Sequence, residues 1–132
     1  MSTTQGHIDI HPTVVLSVVR GPEYTVVALQ GDLDLETAPA LHEELLALMD
    51  SDHKTVVLDL AHLGFCDAAG LSALISASHR ALARGVSMRL AAPRPRVADV
   101  LAATAPEHGL RPYPSLPRAL HHPLPPPLQP AL

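Results

Sequence analysis

Cys66 stands beside Asp67, with His62 four positions earlier. A thiolate and a hydrogen-bonded imidazole are what nucleophilic catalysis of that kind requires, and a helix N-terminus lowers a thiol pKa. A cysteine between Phe65 and a helix start also suits a small core residue, and the expectation is a chain with no catalytic residue. Nine histidines invite a metal reading, yet His121 and His122 are adjacent and point to opposite sides of an extended chain. His42, His53, His62 and His79 are scattered singly. No metal and no other cofactor is expected, and nothing resembles a phosphate-cradling glycine loop.

The other chemistry is acidic. Gly31-Asp32-Leu33-Asp34-Leu35-Glu36-Thr37 reads as a carboxylate-rich loop ahead of a helix, and Asp67 stands where a second helix needs an N-cap. Ala68, Ala69 and Gly70 leave the tip of that second helix bare, as a docking surface would need. Gly70, without a Cβ, lets another backbone or a partner come close. The same stretch also suits a plain, well-capped turn between strand and helix.

Composition narrows the functions open to such a site. The length suits one domain able to bury a core without disulfides or metal, and a single cysteine permits no internal disulfide. Aromatics make up 2% and tryptophan is absent, which removes a base-stacking surface. A net charge of −4 argues against a phosphate-backbone partner, so no nucleic acid is expected. Residues 1–70 hold eleven acids against Arg20 and Lys54, whereas residues 71–132 hold Asp99 and Glu107 against seven arginines. That asymmetry suits a charge-steered protein partner or two solvated faces. Nothing approaches an eighteen-residue apolar run and no leader is evident, so no membrane is expected and the location is expected to be cytoplasmic.

The elements that must position these residues follow in order. Residues 1–12 are polar and are expected to form a flexible N-terminus. Thr13–Arg20 and Tyr24–Gly31 read as strands joined at Gly21-Pro22, a hairpin. Ala38, Leu41, Leu45 and Leu48 mark a helix to about Met49, with Pro39 in its first turn. Thr55–Leu60 is apolar except for Asp59, as in a strand covered on both faces. A helix over Ala69–Arg84 ends at Gly85, Val86–Ala91 is a fourth strand, and Val97, Val100 and Leu101 mark a third helix. Leu110–Tyr113 is a last short extended piece, and Ser115 and Pro117 open a brief helix ending near Leu120. The tail over 122–132, rich in proline, is expected to be disordered or polyproline-like. The order β-β-α-β-α-β-α implies a mixed α/β sheet with packed helices.

Gly31-Asp32-Leu33-Asp34, Val56-Val57-Leu58-Asp59-Leu60 and Phe65-Cys66-Asp67-Ala68-Ala69-Gly70-Leu71, in this order and spacing, resemble the STAS domain of bacterial anti-sigma factor antagonists over roughly residues 13–121. The resemblance implies the STAS fold, α/β with a mixed four- to five-stranded sheet. It also implies a non-catalytic protein that binds an anti-sigma factor, typically a serine kinase, and so releases a sigma factor to regulate transcription. In that family the kinase phosphorylates a serine that follows the aspartate at the helix tip. Here that position is Ala68, followed by Ala69, so the usual switch has no hydroxyl to act on. Ser72 lies one turn further in, where a side chain is expected to have turned away from the tip. The expected partner-binding residues are Asp32, Asp34, Asp67, Ala68, Ala69, Gly70 and Leu71. The alternative is a STAS scaffold or adaptor subunit in a stress-signalling or lipid-transport complex, and a weak homodimer stays open.

Overall fold

A computed structural model describes residues 4–11, 14–50, 54–104 and 110–121. Five strands, β1 (Thr4–His11), β2 (Val14–Arg20), β3 (Tyr24–Leu33), β4 (Thr55–Cys66) and β5 (Ser87–Ala91), form one sheet in the order β1-β2-β3-β4-β5. The first two pairings are antiparallel, and β3-β4 and β4-β5 are parallel, so the expected mixed sheet is present. Helix α1 (Ala38–Asp50) joins β3 to β4 and α2 (Ala68–Arg84) joins β4 to β5, while α3 (Pro95–Thr104) and α4 (Leu116–His121) follow.

One face of the sheet makes the main core. Val14, Leu16 and Val18 of β2 alternate inward with Val27 and Leu29 of β3, as period-two strands require. Leu41, Leu45 and Met49 of α1 and Leu74 and Ala77 of α2 cover them. Each leucine that becomes fully buried contributes about 2 kcal/mol relative to exposure. On the opposite face Val57, Ala91 and Ala119 form a smaller cluster with Val26, Tyr113 and Leu116 around them. There Arg89, 6% exposed, donates through its guanidinium to the Ala119 carbonyl and lies 5.9 Å from the centre of the Tyr113 ring, pinning α4 to β5. The extended piece expected at Leu110–Tyr113 reduces to a single bridge, Ala91 with Tyr113.

Three boundaries differ from the sequence reading. Residues 4–11, expected to be flexible, form edge strand β1 in register with β2, from Thr4 opposite Arg20 to His11 opposite Val14. The alternation Gly6, Ile8, Ile10 against His7, Asp9, His11 carries the strand period, masked by its polarity. Strand β3 runs to Leu33, so Gly31 and Asp32 belong to the sheet rather than to a loop. Strand β4 runs six residues past Leu60 because it carries two irregularities opposite β3. At the first, the Asp59 carboxylate accepts from the Ala61 N–H (3.1 Å), which explains the lone acid in an apolar strand. At the second, Gly64 lies where a Cβ would stand 3.4 Å from an Asp32 carboxylate oxygen. The proline-rich tail lies outside the described residues.

Candidate functional site

The carboxyl ends of the parallel strands β3 and β4 hold the residues of interest, the edge at which open α/β sheets bind their ligands. Asp32 pairs with Phe65 and Leu33 with Cys66 across this edge. The Leu33 carbonyl accepts from the Asp67 N–H (3.1 Å), tying the end of β3 to the start of α2. Asp67 is the N-cap the sequence suggests, with extended backbone and its Oδ1 accepting from the Gly70 N–H at 3.0 Å. Such a cap is worth about 1 kcal/mol. At the other end Gly85, at φ 73°, takes the left-handed conformation, and the last turn of α2 closes on the N–H groups of Gly85 and Val86.

Gly70 admits a close backbone, and that backbone is the chain's own. A Cβ there would stand 2.5 Å from Leu33 Cγ and 2.9 Å from the Leu33 carbonyl oxygen. Gly70 and Leu71 are buried, so these two expected contact residues support the tip from beneath. Asp34, half-buried, is spent on the chain's own backbone. Its Oδ1 accepts from the backbone N–H groups of Glu36 (3.0 Å) and Thr37 (3.1 Å), and the buried Thr37 hydroxyl in turn accepts from the Asp34 N–H (2.9 Å). This pairing starts α1 as an N-cap does, which is the first use of that carboxylate.

Asp32 and Ala68 are exposed, and Asp67 and Ala69 half-buried. Sequence reasoning passed over two apolar side chains beside them, Leu35 at 75% and Phe65 at 43% exposure. Their signal was a leucine inside a carboxylate run and a lone phenylalanine in a chain nearly without aromatics. Ser72 also differs from expectation. Four residues past Ala68 it returns to the same helix face, since a turn holds 3.6 residues, and it is exposed.

Helices α1 and α2 both begin at this edge, and a groove of about 400 Å3 opens between their first turns. Leu35, Pro39 and His42 line one wall, and Ala69, Ser72 and Ser76 the other. His42 Nε2 and Ser76 Oγ are 2.8 Å apart and close the groove floor. Farther along, the Asp50 carboxylate meets Arg80 (2.8 Å) and Arg84 (3.0 Å), a surface clamp between the helices. The Arg80 hydrogen bond holds the Asp50 carboxyl below its ordinary value, with a smaller contribution from Arg84.

Cys66 is buried, and its thiol is pushed up to about 11 by burial and, secondarily, by the neighbouring Asp67 charge. Iodoacetamide should therefore modify native Cys66 about 100-fold more slowly than an ordinary cysteine thiol at pH 8. Because the folded state holds this proton more tightly, the associated stability is intact below pH 9 and is lost as pH rises toward 11. A rate at pH 8 equal to that of the unfolded chain would show the thiol to be ionised and accessible. Among the described residues no group of three or more His, Cys, Asp or Glu side chains could hold a metal ion, and no helix is long and apolar enough to cross a membrane.

Comparison with known proteins places this geometry. A family model described as "Mlab, STAS domain" matches residues 16–112. An anti-sigma factor antagonist from Mycobacterium paratuberculosis is 25% identical and superposes with a TM-score of 0.74 over 83% of this chain and 94% of its own. A variant of Moorella thermoacetica RsbS with glutamate in place of a serine is 26% identical, with a TM-score of 0.66 over 80% of this chain and 91% of that one. The phosphorylated form of the Bacillus cell fate determinant SpoIIAA shares the fold at 15% identity, with a TM-score of 0.53 over 78% of this chain and 83% of its own. No curated protein sequence matches. The family match spans the sheet from β2 onward, together with both tip-forming helices, and this chain belongs to the STAS domain family.

Proposed function

We propose that this chain is a non-catalytic anti-sigma factor antagonist, which binds a serine-kinase type of anti-sigma factor through the tip of α2 and so releases a sigma factor to act in transcription. The observation that carries this reading is the exposed Ala68 on the Asp67-capped tip, at a sheet edge that also holds exposed Leu35, in the groove lining with Ala69, and exposed Phe65, paired with Asp32. Apolar side chains of that size held out of the core are what a binding surface needs at its centre. Asp32 and Asp67 add a carboxylate rim, which gives register and speed of encounter with a basic partner surface.

The tip lacks the family's usual phosphate acceptor, and the nearest hydroxyl on that face is that of Ser72, one turn further along. A phosphate adds nearly two negative charges and bulk, but Ala68 and Ala69 offer no oxygen to carry one. Binding is then not switched at the usual position, and control rests with the abundance of the protein.

The test is an affinity pull-down from the cell of origin in Mg-ATP, with mass spectrometry of bait and captured proteins. A kinase-type anti-sigma factor should be recovered, with no phosphate on the bait. Recovery of transporter subunits or other STAS proteins in its place would replace the antagonist with the adaptor reading.

A further inference from the structure

We propose that the groove between the first turns of α1 and α2 is the seat of a basic amphipathic helix of the partner, with an apolar side chain set against Leu35 and lysines or arginines meeting the surrounding carboxylates. This rests on the reading of the tip as a partner surface and names the part of the partner that engages it.

The groove has the composition of a helix-binding site: small or apolar walls and an apolar side chain standing at its mouth. Its walls at Ala69, Ser72 and Ser76 are small enough for another backbone to approach. The two helices are fixed side by side on the sheet by Leu41, Leu45, Leu74 and Ala77 and bridged at the far end by Asp50, Arg80 and Arg84, and among the described residues small side chains line the space near their starts.

Charge then selects the occupant. The segments that frame the groove, residues 31–49 and 62–79, hold Asp32, Asp34, Glu36, Glu43, Glu44 and Asp67 and contain no lysine or arginine. Glu36 and Glu43 are exposed beside the α1 wall, as is Asp32 at the strand end. Arg94, across β4, is tied to the Ala61 carbonyl at 2.9 Å. An acidic or neutral helix would bring no compensation for desolvating the exposed Asp32, Glu36 and Glu43, whereas a basic one supplies it.

The test needs no knowledge of the partner. A fluorescein-labelled, helix-forming peptide with leucines along one face and arginines flanking them, about three turns long, is titrated against the full chain by fluorescence polarisation. Its control carries glutamates in place of the arginines. The arginine peptide should bind at least tenfold more tightly at low salt, and the advantage should shrink as salt rises. It should shift amide resonances of residues 35–42 and 69–76 in a labelled sample. Two charge-neutral changes of exposed residues, Leu35→Ser and Ser72→Tyr, should each weaken it at least fivefold. Equal binding of the two peptides, shifts centred elsewhere, or indifference to both substitutions would overturn the proposal, the last by showing attraction of charge alone. Failure of the pull-down to yield an anti-sigma factor, with the peptide still bound in the groove, would remove the proposed function and leave this site standing.

Discussion

Gly70→Val is expected to destabilise the fold by about 3 kcal/mol, the upper end of what overpacking costs. The first turn of α2 lies directly on the end of β3, and a Cβ at this position would stand 2.5 Å from Leu33 Cγ, 3.0 Å from Leu33 Cδ2 and 2.9 Å from the Leu33 carbonyl oxygen. The side chain of Leu33 can turn at some cost within a full core, but its carbonyl cannot move away cheaply. It accepts the Asp67 N–H that hands strand to helix. Alanine at this site gains about 1 kcal/mol of helix propensity over glycine and should still come out destabilised. Urea unfolding reads the effect as a lower midpoint at unchanged slope. Combining Gly70→Ala with Leu33→Ala should recover only part of the loss, because the carbonyl remains. Full additivity of the two changes would show that the contact is not the cause.

Ala68→Glu is expected to weaken binding of the captured anti-sigma factor about 100-fold, roughly 2.8 kcal/mol, while leaving the fold as stable as before or slightly more so. The reasons are separable. Ala68 is exposed in the first turn of α2, where a carboxylate favours the helix dipole by a few tenths of a kcal/mol. At the closed centre of the interface, inside the carboxylate rim, the same charge would lose its water with no cation placed to meet it, and its bulk would hold the surfaces apart. Ala68→Ser should bind like the natural chain without nucleotide and lose binding in Mg-ATP as phosphate accumulates on the new hydroxyl. Calorimetric titration against the purified partner, alongside thermal unfolding, checks both. A glutamate variant that binds undiminished would place the contact surface away from the tip.

What could be read before the structure was whatever local pattern controls. The spacing of Leu41, Leu45 and Leu48 placed α1, the glycine at 85 placed the end of α2, and Asp67 announced its beginning. The STAS motifs then ordered these elements into the sheet that the structure contains. Features that depend on a neighbour across the sheet were not legible. The length of β4 follows from two irregularities opposite β3, one of them supported by the Asp59 carboxylate, and no window of sequence contains both strands. Strand β1 was hidden because its alternation is carried by histidine and aspartate. The roles of Asp34 and Gly70 within the chain's own fold depend on Thr37 and Leu33, and the groove exists only where two helices separated by a strand begin side by side.

The arrangement of the sheet also bears on how the chain is made. Strands β2 and β3 leave the ribosome early, carrying the inward row Val14, Leu16, Val18, Val27 and Leu29. The helices that cover this row, α1 and α2, come later, and α2 is complete only at Arg84. Between Leu33 and Arg84, at about 5–20 residues per second, roughly 3–10 s of translation pass. For those seconds a pleated apolar ribbon stands without its full cover, and the fold becomes self-sufficient only when the helix that carries its tip emerges.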